Sequence, residues 1–224
     1  IYFSLPALAL SKIRKLEFSE EILQIIAIAY IAMGLASVLA YVAGRFMGLN
    51  KKDLATLVIV SVFGNTAFVG FSYIESLYSL DHVVYALVYD QMASFIALLT
   101  FGVVIIAWGG GQERGVKEVA KQMLFSPPLL AIGAAIYFQG TVFPSYIEAM
   151  LDKFQATLIP LVTTIVGMKL DFRAMPLYFK DTMVALSIKM VITPLLMLLY
   201  FWLFVDFNSE AMQVTFLEIA MPPM

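Results

Sequence analysis

Apolar runs long enough to cross a lipid bilayer recur along nearly the whole chain, and they constrain its fold more than any other feature. A spanning helix needs about 20 mostly apolar residues. Of the 224 residues, 62% are hydrophobic and 13% are charged, whereas a soluble globular protein carries about 25% charged residues. The sequence therefore predicts an all-α polytopic membrane protein surrounded by the lipid bilayer. The predicted spans are residues 1–16, 22–47, 54–78, 82–108, 118–139, 154–170, 181–205 and 210–224.

Both ends of the sequence lie inside apolar runs. It begins with IYFSLPALAL and stops at EIAMPPM. We therefore expect a piece of a longer protein, truncated at both ends. The loops between the predicted spans are short, and none of them could hold a second folded domain.

Lysine and arginine residues are distributed unequally between the loops, which predicts how the helices are oriented. Loops on the cytoplasmic side of a membrane protein carry the excess of these residues. The loops at 45–53, 109–121 and 169–181 carry nine of them and the opposite loops carry four, so the first three loops are predicted to be cytoplasmic. The nine are Arg45, Lys51, Lys52, Arg114, Lys117, Lys121, Lys169, Arg173 and Lys180, and the four are Lys12, Arg14, Lys15 and Lys153.

Composition and motifs exclude several classes of function. The net charge of −2 gives no indication of a nucleic-acid partner, and the chain has no cysteine for thiol chemistry. Neither a zinc-peptidase HExxH motif nor a GxSxG nucleophile turn nor a dinucleotide fingerprint occurs in it. We therefore predict that it is not an enzyme and has neither catalytic residues nor a metal centre.

A sequence match at an offset of 154 residues indicates an internal repeat. Leu5-Pro6 lies nine residues before KLEF at 15–18, and Ile159-Pro160 lies nine residues before KLDF at 169–172. Because five helices separate the matched segments, the two copies, residues 1–110 and 111–224, are predicted to have opposite orientations. Inverted repeats of this kind, with helices interrupted at corresponding places, are typical of secondary transporters.

Interrupted helices are predicted at equivalent places in the two copies. Glycines at 64 and 70 weaken the middle of one span by about 1 kcal/mol each relative to alanine, and the equivalent segment, 218–224, contains two prolines. We predict that the two breaks cross and present backbone groups to a carboxylate. The alternative is close helix packing through small residues. The predicted binding residues at the breaks are Gly64, Asn65, Thr66, Gly70, Pro222 and Pro223.

Three charged residues inside predicted spans are further candidates, because intramembrane charges are costly and often functional. Asp90 could bind substrate or carry a proton, or it could lie in a wet vestibule or cap a neighbouring backbone group. Lys189 could compensate a carboxylate, or its side chain could extend to the membrane surface. Glu218, four residues before the proline pair, is a candidate for binding a coupling proton or sodium ion.

The order of these motifs, LPAL, GNTxFxG, a Tyr-Asp helix and AMPP, resembles the auxin efflux carrier family over essentially the whole chain. That family includes the plant PIN proteins and bacterial malate permease-like members, and it is related to the bile-acid/sodium symporter-like carriers. The resemblance maps the first crossing motif onto Gly64-Asn65-Thr66 and Gly70, the second onto 220–223, and a substrate-facing polar position onto Asp90. Phe71-Ser72 stands where the family often has Ile-Pro, so the first break lacks a proline.

The resemblance also implies an architecture. It consists of ten helices in two inverted five-helix repeats, with a scaffold domain and a transport domain around two crossed broken helices. In this chain the first helix of the first repeat and the end of the second are missing. The resemblance further implies a homodimer, and the short GGGQERG loop is typical of a prokaryotic member. A bacterial or archaeal plasma membrane is therefore expected.

The predicted function is secondary active transport of a small organic anion, an auxin-like or malate-like carboxylate, by elevator-type alternating access. A proton or a sodium ion is the expected coupling ion, with Asp90, Lys189 and Glu218 as candidates, and no other cofactor is expected. One alternative is a sodium-coupled bile-acid-type symporter. The other is a non-transporting membrane sensor or scaffold with the same fold.

Overall fold

A computed structural model of the chain describes residues 3–15, 19–110, 121, 125–169, 179–205 and 207–223. Within these residues the secondary structure is helical and contains no strand, which confirms the predicted all-α fold. The helices are α1 (Ser4–Lys12), α2 (Glu20–Phe46), α3 (Lys51–Val62), α4 (Phe71–Leu77), α5 (Val83–Trp108), α6 (Pro127–Tyr137), α7 (Ser145–Ala156), α8 (Leu158–Lys169), α9 (Phe179–Phe204) and α10 (Glu210–Ile219).

Within the described residues, three helices are long and apolar enough to cross a membrane. Helix α2 has 27 residues, and α5 and α9 have 26 each, which corresponds to about 40 Å at 1.5 Å per residue. Large apolar side chains on α9 point away from the protein, among them Trp202 and Phe204, which are 79% and 73% exposed. In water such a surface would be an aggregation hazard. In a bilayer it is the surface that contacts lipid.

Buried apolar residues form two clusters. The first cluster, which includes Ala36 and Leu57, joins α2 and α3 to α5, α9 and α10. The second cluster, which includes Leu8 and Phe71, joins α1 and α6 to α4, the start of α5 and the middle of α10. Helices α5 and α10 contribute to both clusters and therefore connect them.

The loops gather at two opposite ends of the helix bundle. At one end, Lys52, Asp53 and Asp181 line a shared cavity between α3 and α9, and Gly109 lies against Ala55. Residues 52–53, 109 and 181, which come from the three predicted cytoplasmic loops, therefore lie at the same end. Arg114, Lys117 and Arg173 fall outside the described residues, and the orientation of this end towards the cytoplasm remains a prediction.

Contacts between polar side chains join different helices at the other end. Lys12 contacts Asp81 at 2.8 Å, and His82 contacts Glu210 at 2.5 Å. A hydrogen bond from Lys12 and its positive charge lower the pKa of Asp81. These contacts connect α1, the turn before α5 and the start of α10.

The matched segments of the predicted repeat begin helices in the same way. Leu5-Pro6 occupies the second and third positions of α1, and Ile159-Pro160 occupies the same positions of α8. Proline is tolerated in the first turn of a helix, because the N–H that it lacks would have no partner there. Residues 16–18 and 170–172 lie outside the described residues, and the division at residue 110 remains a prediction.

One prediction about a loop is wrong. Residues 145–156 form the amphipathic helix α7, although residues 145–153 were expected to lie in a loop between the spans 118–139 and 154–170. A search for long apolar runs misses this helix, because polar residues alternate with apolar ones along SYIEAMLDKFQA. Arg14 was counted among the loop charges, although it also lies within the predicted span 1–16. It is part of a helical turn, Ile13–Lys15, and its side chain is 2% exposed.

Arg14 is buried because it has partners on three sides. It donates hydrogen bonds to the carbonyl of Thr141 and the carboxylate of Glu148. Its guanidinium lies 4.2 Å from the centre of the Phe143 ring, a cation–π arrangement. Lys15 contacts the same carboxylate at 3.1 Å but is 58% exposed.

Replacing Arg14 with methionine is expected to destabilise the protein by about 2 kcal/mol, because the Thr141 carbonyl loses this donor and the Glu148 carboxylate keeps only the exposed Lys15 as an ion-pair partner. The matched control, Lys15→Met, removes an exposed partner of the same Glu148 and should change stability by less than about 1 kcal/mol. Detergent-induced unfolding of both variants measures the difference. Equal stabilities would contradict a structural role for Arg14.

Candidate functional site

Two interrupted helices meet through their backbones in the middle of the bundle. Helix α3 ends at Val62, and Phe63 is extended, with φ −89° and ψ 115°. The N–H of Asn65 donates to the carbonyl of Pro222 at 2.7 Å, and Gly64 pairs antiparallel with Pro223. The predicted crossing of the two broken segments is therefore confirmed as a geometric feature. Its role in binding remains a prediction.

Local chemistry explains why the helices stop where they do. Asn65 begins the next helical segment, a π turn at Thr66–Gly70, and its side-chain oxygen accepts a hydrogen bond from the N–H of Phe68 at 3.1 Å. Helix α10 ends at Ile219, shortly before Pro222 and Pro223, which have no N–H to continue it. Each break thus satisfies part of the backbone that the other exposes.

Asp90 lies on a π turn of α5, Val88–Ser94, and faces the first break. One carboxylate oxygen accepts a hydrogen bond from the hydroxyl of Thr66, and the other accepts one from the side-chain amide of Gln91. Asp90 is 8% exposed, so it does not lie in an open vestibule. Within the described residues, its hydrogen bonds come from side chains. Single π turns recur at functional sites, because the extra residue changes where side chains point.

Lys189 is buried in the same region and does not extend to the membrane surface. It is 3% exposed, and its ammonium group donates to the carbonyl of Val62, the last residue of α3, at 3.3 Å. A β-carbon placed on Gly64 would lie 3.2 Å from this ammonium nitrogen. Glycine at this position therefore gives the lysine access to the crossing.

Glu218 is fully buried, and neither of its carboxylate oxygens has a hydrogen-bond partner within the described part of the chain. A β-carbon placed on Gly70 would lie 2.4 and 2.6 Å from these two oxygens. The carboxylate interacts electrostatically with Asp90 and Lys189. An ionised carboxylate without partners is costly at such a position, so Glu218 is a group that would gain from binding a cation or a proton.

The structure thus brings the predicted site residues together. Three positions of the first break each contact a different charged residue. Gly64 lies against Lys189, Thr66 bonds to Asp90, and Gly70 lies against Glu218. In the described residues, His, Cys, Asp and Glu form no group of three that could hold a metal ion.

Sequence reasoning missed three groups near these residues. The carbonyl of Val62 binds Lys189, and the buried hydroxyls of Ser61 and Thr193 have no partner among the described atoms. Ser and Thr in apolar helices commonly bond to the carbonyl four residues earlier, so their identity alone is not a signal of a site. Thr193 follows Lys189 by about one helical turn, so both side chains lie on the same face of α9. This spacing is the sequence signal that could have identified Thr193.

Comparison with known proteins identifies the family of the chain. A family model described as "Membrane transport protein" matches residues 1–224. The chain belongs to this membrane transport family. The family is auxin efflux carrier-like, so the resemblance stated from the sequence is confirmed.

Two archaeal proteins of similar sequence are described as uncharacterized transporters. One, from Methanocaldococcus jannaschii, is 24% identical over 203 residues, which cover 87% of this chain and 65% of the relative. The other, from Methanothermobacter thermautotrophicus, is 23% identical over 225 residues, which cover 99% of this chain and 73% of the relative. The chain therefore spans about two thirds to three quarters of the length of these relatives.

Replacing Gly70 with alanine is expected to destabilise the protein by about 1–3 kcal/mol, because the buried Glu218 carboxylate has little room to move away from a new methyl group. Gly34→Ala is the matched control, since a β-carbon there meets no atom within 4 Å. That variant should be as stable as the wild type or slightly more stable. Unfolding of both variants in a detergent titration tests this, and equal stability would contradict the close contact.

Proposed function

We propose that this chain forms the crossing region of a secondary active transporter that moves a small organic anion across the membrane. The single observation that carries the proposal is the crossing itself, with Lys189 beside Gly64 and the backbone bridge to Pro223. A half-helix that begins inside a bilayer presents N–H groups and a positive dipole end to an anion. Membership of a transporter family supports the same reading.

In this proposal the substrate carboxylate binds at the first break. Asn65 begins the half-helix, and its side-chain amide N–H groups are suitable donors. The ammonium of Lys189 supplies a positive charge on the same side of the break as Gly64. Thr66 and Asp90 would contact polar groups of the substrate. Pro222 and Pro223, in the second broken segment, would line the opposite side of the binding site.

Coupling is proposed to involve the two carboxylates. With Lys189, Asp90 and Glu218 all ionised, the crossing would carry an excess negative charge in a region of low polarity. A proton or a sodium ion on Glu218 would remove this excess, because its two oxygens have no partner within the described residues. A coupling ion bound there would travel together with the substrate.

We propose that the helices form two bodies, with the second cluster of buried apolar residues as the interface between them. Helices α1, α6 and α7 pack together near Arg14, whereas α2, α3, α5, α9 and α10 surround the crossing. We propose that the first group belongs to the scaffold and the second group to the transport domain of an elevator-type carrier. The ion pair between Lys12 and Asp81 joins the two groups at one end. A homodimer and a cytoplasmic position for the loops at 45–53, 109–121 and 169–181 belong to the same proposal.

A binding screen tests the proposal. Full-length protein is titrated with monocarboxylates and dicarboxylates, including indole-3-acetate and malate. Asn65→Ala should weaken binding about 10-fold to 100-fold, which is the effect of losing a hydrogen bond to a charged group. Asn50→Ala is the matched control, since Asn50 also caps a helix but lies at the exposed start of α3. It should leave the affinity within about twofold of the wild type.

Transport assays distinguish the alternatives. Uptake into liposomes that follows an imposed sodium gradient would favour the bile-acid-type symporter, for which unpartnered carboxylate oxygens at Glu218 are suitable ligands. Absence of both saturable carboxylate binding and uptake would favour a non-transporting sensor or scaffold. Unchanged affinity in Asn65→Ala would remove the crossing from the substrate site.

A further inference from the structure

The ammonium of Lys189 lies at the carboxyl end of a half-helix, which is a place where a free cation would bind. Helix α3 ends at Val62, and its last carbonyls have no partner within the helix. In addition, the dipole of a helix gives this end a partial negative charge. In secondary transporters, carbonyls at the carboxyl ends of half-helices coordinate coupling cations. Here the carbonyl of Val62 instead accepts a hydrogen bond from Lys189 at 3.3 Å.

The position of Lys189 is defined by burial on all sides. It extends from a π turn of α9, Ile188–Ile192, and is 3% exposed. Gly64 leaves the space that its terminal atoms occupy, because a β-carbon there would lie 3.0 Å from Cε and 3.2 Å from Nζ. The charge is therefore held at the crossing itself. It cannot move to the membrane surface without a rearrangement of α9.

The surrounding charges fit a cation at this place. The two buried carboxylates at the crossing are those of Asp90 and Glu218. The Asp90 carboxylate is hydrogen-bonded by Thr66 and Gln91. The Glu218 carboxylate has no hydrogen-bond partner within the described residues, so a nearby positive charge would stabilise its ionised form. An ammonium group has three N–H donors, so the bond to Val62 leaves others that can reach an anion near Gly64.

We infer that Lys189 is a tethered cation that takes the place of a coupling sodium ion at the carboxyl end of α3. The inference rests on the proposed function, anion binding at the crossing. It assigns the positive charge that makes this binding independent of sodium, and of the two coupling ions proposed for Glu218 it therefore selects the proton. Lys189 then contributes to selectivity, because a fixed positive charge beside Gly64 favours anions over neutral or cationic solutes.

Binding of malate and indole-3-acetate to full-length protein, in sodium chloride and in choline chloride of equal ionic strength, tests the inference. The wild type should bind equally in both salts, within about twofold. Lys189→Ala should weaken binding at least about 10-fold in choline. Sodium should restore at least part of it, since the truncated side chain leaves room for the ion. Lys180→Ala, at the exposed start of the same helix, is the matched control and should behave as the wild type.

Each other outcome overturns the inference in a different way. Wild-type binding that requires sodium, or normal binding by Lys189→Ala in choline, shows that the lysine does not replace the ion. Loss of binding that sodium does not restore limits Lys189 to direct contact with the anion. If Lys189→Ala does not fold, Lys189→Gln is used in its place. The comparison of the wild type in the two salts needs no variant, and a requirement for sodium there contradicts the inference. Absence of binding by the wild type in both salts contradicts the proposed function itself.

Discussion

The backbone contact between the two broken segments is the interaction on which the rest of the structure depends. In hydrocarbon, an unpaired N–H or C=O group costs several kcal/mol, so neither helix could break there alone. The bond from Asn65 to the carbonyl of Pro222, together with the pairing of Gly64 and Pro223, satisfies each break with groups of the other. The two segments are stable because they meet.

Polar side chains concentrate at this contact for the same physical reason. The apolar surroundings make any charge expensive unless it has a partner, and the partners available are backbone groups at the breaks and other charges. Lys189 bonds to the end of α3, and Asp90 bonds to Thr66 at the start of the next helical segment. Glu218 has no hydrogen-bond partner in the described residues. It is therefore the group whose state most depends on what else binds.

Glycine has a specific role at two positions of the break. At Gly64 and Gly70 a β-carbon would approach the side chains of Lys189 and Glu218, respectively, to 3.2 Å or less. The glycines therefore do more than weaken the helix, since they provide the space in which two opposite charges lie close to the backbone. Close packing through small residues was the alternative to a binding role for these glycines. Here the two explanations describe the same contacts, because the close packing is what places the charges at the break.

Much of this protein was determined by its sequence alone. Long apolar runs require membrane-spanning helices, and the proline pair and the Gly-Asn-Thr segment require breaks, because these are properties of the local chain. The structure decided where side chains from distant segments meet. Whether Lys189 extends to the surface or points inward depends on Gly64, which is 125 positions away, and the burial of Arg14 depends on Glu148 and Thr141. Helix α7 was missed because its stability comes from packing against α1 and not from an apolar run. Local sequence sets which backbone geometry is available, whereas the low polarity of the interior makes each buried charge depend on partners that only the tertiary structure provides.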